Sequence, residues 1–511
     1  MTAVRPGPVL NGLPGVKAQL DEIADQLAAG LHCLWLLPDH LVDSGQAEDL
    51  YRAALNSMPD RLDLLPPAVP AVPAPRRPVS GEADEPTAYD AGQWEEADGA
   101  DWDDLPEIDF DDGFDIGWSA ERPVRGVRPA LREEALPGLL ERLAKDLAVD
   151  PGEVVARLTD PAHRWRPVIG LRAWAEPDDH GQASAGVPGV PGGGGSRGGA
   201  VQRLFHALSA ATKEAGLPPQ VRPRLLVVAR LRDVPGSLVE ELDRDIATTA
   251  VRWWWGTIGR LDTATIVAST RTRGTAVHVA QRIRAVVRDE VVAEIAGFDL
   301  ALARRLAVAW DGRIGGLDSA LRSCLDAEQI GRAATCPDTA FEAGTRRRPG
   351  SRLRPAWSEG LVQSWEGMLR RHPAVWYADG GADGPPELDL LVGQAQQRAV
   401  FPWIEEARDR LARLGARHAA RPLAVLVETY AQRPPADFRS HPDRAFAQLE
   451  VGALLSACHE GGLVLPGEEL RLLKTLVKAR NILAHRGALR DATLHTLCEE
   501  FALAHRRWAK L

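Results

Sequence analysis

The chain has 511 residues, 61 Lys+Arg against 71 Asp+Glu, a formal charge of −10 and an apolar share of 45%. These values exclude a wholly disordered chain, and at roughly 100 to 200 residues per domain the length predicts about three domains, each able to bury a core without covalent staples. The five cysteines are scattered and never spaced C-x-x-C, which excludes a disulfide framework and a zinc knuckle.

The first residues, MTAVRPGPVLNGLPG, contain no apolar run suited to a signal h-region, and nowhere are 18 uncharged apolar residues found in succession. A cytosolic protein with no membrane partner is expected. Residues 16–29 place Val16, Leu20, Ile23 and Leu27 on one helical face, with Gly30 as a stop. HCLWLL at 32–37 suits a buried strand, and 42–57 reads as helix again. From about 66 to 122 the chain is first proline-rich and then acidic. The stretch 82–115 carries 15 Asp/Glu and no Lys or Arg, so the rest of the chain is at +5 and the overall charge is no argument against a nucleic-acid partner. A second low-complexity stretch, about 176–199, contains GVPGVPGGGGSRGG, and both are expected to be disordered insertions.

Between and after these insertions, strands are expected at 168–174, 224–229 (RLLVVA) and 264–269 (ATIVAS), with a long helix at about 237–258. Continuous apolar strands alternating with helices imply a mostly parallel sheet, hence an α/β domain over residues 1–275. RWWWGTIGRLD (252–262) spends three of the fifteen tryptophans in a row; it is expected to plug the gap beside the sheet, with Asp262 capping a turn, in preference to forming a base-stacking surface.

From 276 to 340 the pattern is helical only. A sheet followed by such a helical lid resembles the layout of ATPases of the AAA+ and related P-loop classes. That resemblance implies a nucleotide site, yet no Gly-Lys dipeptide exists in the chain, and the loop after HCLWLL offers Asp39 and Asp43, which repel phosphate. The acid expected at the end of RLLVVA is displaced by Arg230 and Arg232 to Asp233. An NTPase-like scaffold without nucleotide chemistry and without cofactor or metal is therefore expected.

Residues 341–384, with TRRRPGSRLR at 345–354, read as a basic linker, and 385–511 as an all-α bundle with helices at 387–414, 443–460, 467–485 and 492–510. In the last, Leu494, Leu497, Phe501, Ala504 and Trp508 make one apolar stripe. The third contains LKTLVKARNILAHRG (473–487). Here an amphipathic helix runs into Arg480, Asn481 and His485, with Ala484 before the histidine and Gly487 as a helix stop. This resembles HEPN domains, helical bundles of ribonucleases, toxins and antiviral effectors with an Arg-polar-x-x-x-His signature. Spacing alone carries no weight, because Arg273/His278, Arg413/His418 and Arg490/His495 share it.

The resemblance implies metal-independent RNA cleavage in a bacterial defence or toxin system, with His485 moving the proton, Arg480 holding the phosphate, Asn481 orienting either, and a homodimer completing the site. Lys474, Lys478 and Arg486 would bind RNA. The alternative is structural, with Arg480 paired to Glu387 or Glu450 and His485 bonded to a neighbouring helix, in a non-catalytic scaffold that dimerises through its bundle and binds an ATPase or another defence protein.

Overall fold

The computed structural model describes residues 10–67, 138–177, 198–271, 278–339, 342–378 and 385–510. The two expected insertions, with the acidic stretch 82–115, lie almost wholly outside these residues. Helix α1 (Pro14–Ala28) leads to β1 (His32–Leu36), which is followed by α2 (Asp39–Asp43), α3 (Gln46–Asn56) and the edge strand β2 (Arg61–Asp63). Next, α4 (Leu139–Leu147) and α5 (Val154–Thr159) precede β3 (Val168–Arg172), α6 (Gly199–Glu214) precedes β4 (Arg224–Ala229), and α7 (Gly236–Arg244) precedes β5 (Thr249–Trp253). The five strands form one parallel sheet in the order β2-β3-β4-β1-β5. Leu34 lies opposite Val227 on one side and Val251 on the other. Every residue of β1 and β3 is buried, so both faces of the sheet are covered, and this is why these strands read as mainly apolar runs, broken only by His32 at the start of one and Arg172 at the end of the other.

The edge of the sheet is fixed by charge. Arg172, at the end of β3, is only 6% exposed and binds both Glu48 (2.7 and 3.1 Å) and Asp63 (2.6 and 3.0 Å) while its guanidinium sits 4.1 Å from the Tyr51 ring centroid. Tyr51 in turn donates its hydroxyl to Asp63 at 2.6 Å. Two bidentate contacts and a stacked ring leave little unsatisfied, the condition under which a buried ion pair is tolerated.

His32 opens β1 fully inside, 2% exposed, its Nδ1 accepting the Leu225 N–H at 3.1 Å. Burial drives its pKa down from 6.5 to about 4. The unfolded chain therefore binds a proton that the folded one refuses between those values, and stability falls as pH drops from 6.5 towards 4. The loss is on the order of 3 kcal/mol. In His32→Asn, whose Oδ1 takes the place of Nδ1, urea unfolding at pH 4.5 and 7 should show a smaller difference than in the wild type. An equal difference would refute the assignment.

Three expectations about the sheet are corrected. Residues 264–269 are not a strand but the second half of α8 (Arg260–Ser269), because Asp262 at its third position accepts the Gly259 N–H at 2.8 Å and starts a helix that a short apolar run then continues. The fifth strand is instead Thr249–Trp253, which was expected inside a long helix; that helix stops at Arg244, and Asp245 holds the turn by accepting the Thr248 hydroxyl at 2.7 Å. The helix expected over 42–57 is split at Gly45, whose φ of 79° breaks the helical path.

Beyond the sheet come α9 (Val279–Ala296), α10 (Leu300–Ala309), α11 (Leu317–Cys324) and α12 (Ala327–Ala333). They are followed by α13 (Arg354–Ser358), the antiparallel hairpin of β6 (Val362–Trp365) and β7 (Met368–Arg371), and α14 (Pro373–Ala378). The last helices are α15 (Pro386–Arg417), α16 (Leu423–Tyr430), α17 (Pro442–Phe446), α18 (Val451–His459), α19 (Gly467–Ala484) and α20 (Asp491–Trp508). The one helix expected over 443–460 is two, interrupted between Phe446 and Val451, and α16 was not foreseen.

The helices of 276–340 do not stand apart as a lid. One core runs from Ile283, Val291 and Leu306 to Val392, Leu476 and Phe501, with α9 packed along α15 and α20. The cause is that the second half of α9 is covered on every side: Val291 to Ala296 are buried in succession, Glu294 included, so this half needs neighbours all round. The basic segment is likewise no linker: Trp357, Leu361 and Val362 join the core of the sheet. Among the described residues no helix is long and apolar enough to cross a membrane.

Candidate functional site

In an open α/β sheet, ligands bind outside the carboxyl ends of the strands where the strand order reverses. The chain leaves β1 towards β2 and leaves β4 towards β5, so that point lies between β1 and β4. Charge fills it. Arg230 binds Asp233 at 2.9 Å and Asp43 at 3.2 Å, and Arg232 stands 3.3 Å from Asp39 and 3.6 Å from Asp43. Ser358 then donates its hydroxyl to Asp39 at 3.1 Å, and the Trp357 indole donates to the Trp254 carbonyl at 2.9 Å. Gly360, at φ 75°, lies so close that a β-carbon there would stand 2.9 Å from His40 Nδ1. The crevice is thus closed by α13 and the turn after it. The three tryptophans 253–255 are all buried here, at the end of a strand and not of a helix, and serve as filling.

Beside this seal lies an Asp–His pair. The fully buried His372 accepts the Ala374 N–H on Nδ1 at 3.1 Å, so Nε2 carries the proton and donates to Asp299 at 3.0 Å. Burial alone would push the Asp299 carboxyl up, but the bonds from His372 and the Leu302 amide outweigh it and hold the group below the ordinary range. Both ring nitrogens are used, and the pair ties the hairpin to the start of α10; it has nothing to offer a substrate. Among the described residues no group of three or more His, Cys, Asp or Glu is placed to hold a metal.

The residues singled out in α19 are differently placed. Leu472, Leu473, Leu476, Ala479 and Leu483 bury one face. Lys474, Lys478, Asn481 and His485 recur at steps of four, three and four, which keeps them within about 60° of one another around the helix, and all four are exposed. Among the described residues neither lysine nor His485 has a side-chain partner. Cations are favoured at this carboxyl end by the helix dipole. Arg480 lies on the flank, about 140° round from His485. It donates to Glu450 at 2.9 Å and reaches Asn481 Oδ1 only at 3.5 Å. The structure therefore unites Asn481 and His485 but does not bring Arg480 onto their face. Its pair with Glu450, at side-chain exposures of 41% and 66%, is a surface pair worth at most about 1 kcal/mol, so a phosphate could displace the carboxylate.

The turn 485–490 is rigidly held. Gln396, fully buried in α15, accepts the Leu489 N–H at 2.6 Å and donates to its carbonyl at 2.9 Å; Arg490 is bidentate to Asp389 at 2.7 and 3.2 Å. Helix α19 does not stop at Gly487 as expected. The left-handed residue is Arg486, at φ 60°, a conformation that costs a side-chain-bearing residue about 1 kcal/mol. A strained arginine next to His485 is a functional clue. Arg486→Gly should raise the unfolding free energy by about 1 kcal/mol. Urea melts check this, and lost stability would show that the arginine is kept for packing.

Sequence reasoning missed a second basic place, a cleft of about 660 Å³ lined by Arg284, Arg288, Arg313 and His495. Its only sequence signals are the one-turn spacing of Arg284 and Arg288 and the Arg490/His495 pair already passed over. Comparison of the chain with models of protein families, with curated proteins and with solved structures finds no match.

Proposed function

We propose that the C-terminal bundle is a metal-independent endoribonuclease of HEPN type, the effector of a bacterial defence or toxin system, and that the α/β part is an NTPase-like sensor without nucleotide chemistry. The observation that carries this is the exposed stripe Lys474, Lys478, Asn481, His485, ending in an imidazole that has no side-chain partner among the described residues, on a rigidly held turn. The filled crevice between β1 and β4 supports the second half of the reading.

In the reaction, His485 takes the proton of a ribose 2′-OH, whose oxygen attacks the adjacent phosphorus. The P–O5′ bond breaks, and the leaving 5′-oxygen receives a proton, giving a 2′,3′-cyclic phosphate and a 5′-OH. Arg480 meets the charge on the pentacoordinate phosphate with its fork. Because Arg480 and His485 do not share a face, a site pairing Arg480 of one copy with His485 of a second would be complete where either alone is not. Full-length protein incubated with end-labelled tRNA in EDTA should release cyclic-phosphate ends. Intact RNA would refute the enzyme.

A second reading, a non-catalytic scaffold that dimerises through its bundle and binds an ATPase or another defence protein, is favoured by the Arg480–Glu450 pair. A dimer by sedimentation with no cleavage would select it.

A further inference from the structure

We infer that the cleft between α9, the turn 311–316 and the start of α20 is a second phosphate-binding subsite for the same RNA, distinct from His485. The inference rests on the ribonuclease reading for its substrate class. The cleft, about 660 Å³, has room for a nucleotide. Arg284 Nη1 lies 3.1 Å from His495 Nδ1; since a guanidinium has no lone pair, Nδ1 accepts, and the imidazole keeps its Nε2–H as a further donor. Arg284 also meets Glu499 at 2.9 Å, and Arg288 is anchored on the Trp310 carbonyl at 3.0 Å, so both guanidiniums are held in place. Arg313 is free to swing, its side chain 81% exposed and 3.7 Å from Asp311.

The lining also holds two carboxylates, Asp311 and Asp491, against the three arginines, and both are bound to N–H groups of the turn itself. Asp491 accepts the Ile314 and Gly315 N–H groups at 2.8 and 3.2 Å, and Asp311 accepts the Arg313 N–H at 2.9 Å. The first turn of α20 adds the positive end of an 18-residue helix. Only the turn 485–490 separates α19 from α20, so the wall of the cleft begins within about 20 Å of His485 along the chain. A short single strand lying on the stripe of α19 and over this turn would place a phosphate in the cleft.

The test uses full-length His485→Ala protein, so that binding is read without cleavage, with a fluorescein-labelled uridine 12-mer in EDTA and anisotropy measured against salt. Adding Arg284→Gln and Arg313→Ala should weaken binding about tenfold at 0.15 M salt and reduce the slope of log K against log salt by about 1.4. Arg313→Ala alone, at an exposed position, should give part of that loss with an unchanged melting temperature. Unchanged affinity and slope in the presence of both substitutions, with Lys474→Ala/Lys478→Ala still lowering affinity, would overturn the cleft and leave the site at His485 standing. If the His485→Ala parent itself binds no RNA, the ribonuclease reading fails, and the cleft with it.

Discussion

His485→Ala should lower the rate of RNA cleavage in EDTA by about 10²- to 10⁴-fold, the usual worth of a positioned general acid or base. Its KM and melting temperature should stay close to those of the wild type. The side chain is exposed and makes no contact that folding depends on, so truncation costs stability no more than about 0.5 kcal/mol. Arg480→Ala should be comparably damaging, and Arg480→Lys nearly so, because a point charge does not replace a planar fork. Glu450→Gln separates the roles further: it releases Arg480 from the carboxylate it meets at 2.9 Å, so cleavage should hold or rise if the arginine serves phosphate, and stability should fall if the pair serves the fold. Mixing the two inactive proteins is the sharpest test of a shared site. If Arg480 and His485 act from opposite copies, mixed dimers contain one intact site, and about a quarter of the wild-type activity should return. No recovery, with both single variants inactive, would place the two residues in one protomer.

What the sequence revealed follows from burial. β1 and β4 were legible because they are covered on both faces and so are apolar beyond their first residues, His32 and Arg224, and the buried face of α19 was legible because Leu472, Leu476, Ala479 and Leu483 keep a helical period. β5 was not, since an edge strand with a half-buried Arg252, paired to Glu22 at 2.7 Å, has no apolar run to announce it. The segment after 341 looked like a linker for its arginines, but two of those charges have partners on the α/β part. Arg348 pairs with Asp243 and Arg354 with Glu240, both on α7, while the Arg346 carbonyl receives the Trp255 indole N–H at 2.9 Å. Charge density marks a solvated loop only when nothing opposite neutralises it. The candidate site was half legible. The stripe comes from one helix and its period shows in sequence, whereas the turn's anchors, Gln396 and Asp389, come from residues about a hundred positions away. The cleft draws on three separate segments.

Trp357→Ala should cost about 4 kcal/mol of unfolding free energy and lower the melting temperature by roughly 5 °C, whereas Trp165→Ala, at a position 38% exposed, should stay within about 0.5 kcal/mol. Trp357 is fully buried, its ring 5.0 Å from that of Trp253 and steeply inclined to it. Truncation leaves a cavity between the end of the sheet and α13. The lost indole hydrogen bond adds little, because the Trp254 carbonyl keeps the Gln363 amide at 2.8 Å. Trp357→Phe, which refills most of the space, should recover more than half of the loss. A wild-type melting curve for Trp357→Ala would mean that the basic segment is a linker after all and that nothing seals the crevice between β1 and β4. The seal and the charges beneath it are separable: opening the crevice removes a lid but leaves Asp39 and Asp43 where phosphates would lie, paired to Arg232 and Arg230. Trp357→Ala should therefore lose stability without gaining ATP binding by calorimetry. Binding that appears on opening would show that the α/β part retains a nucleotide site masked by its own chain.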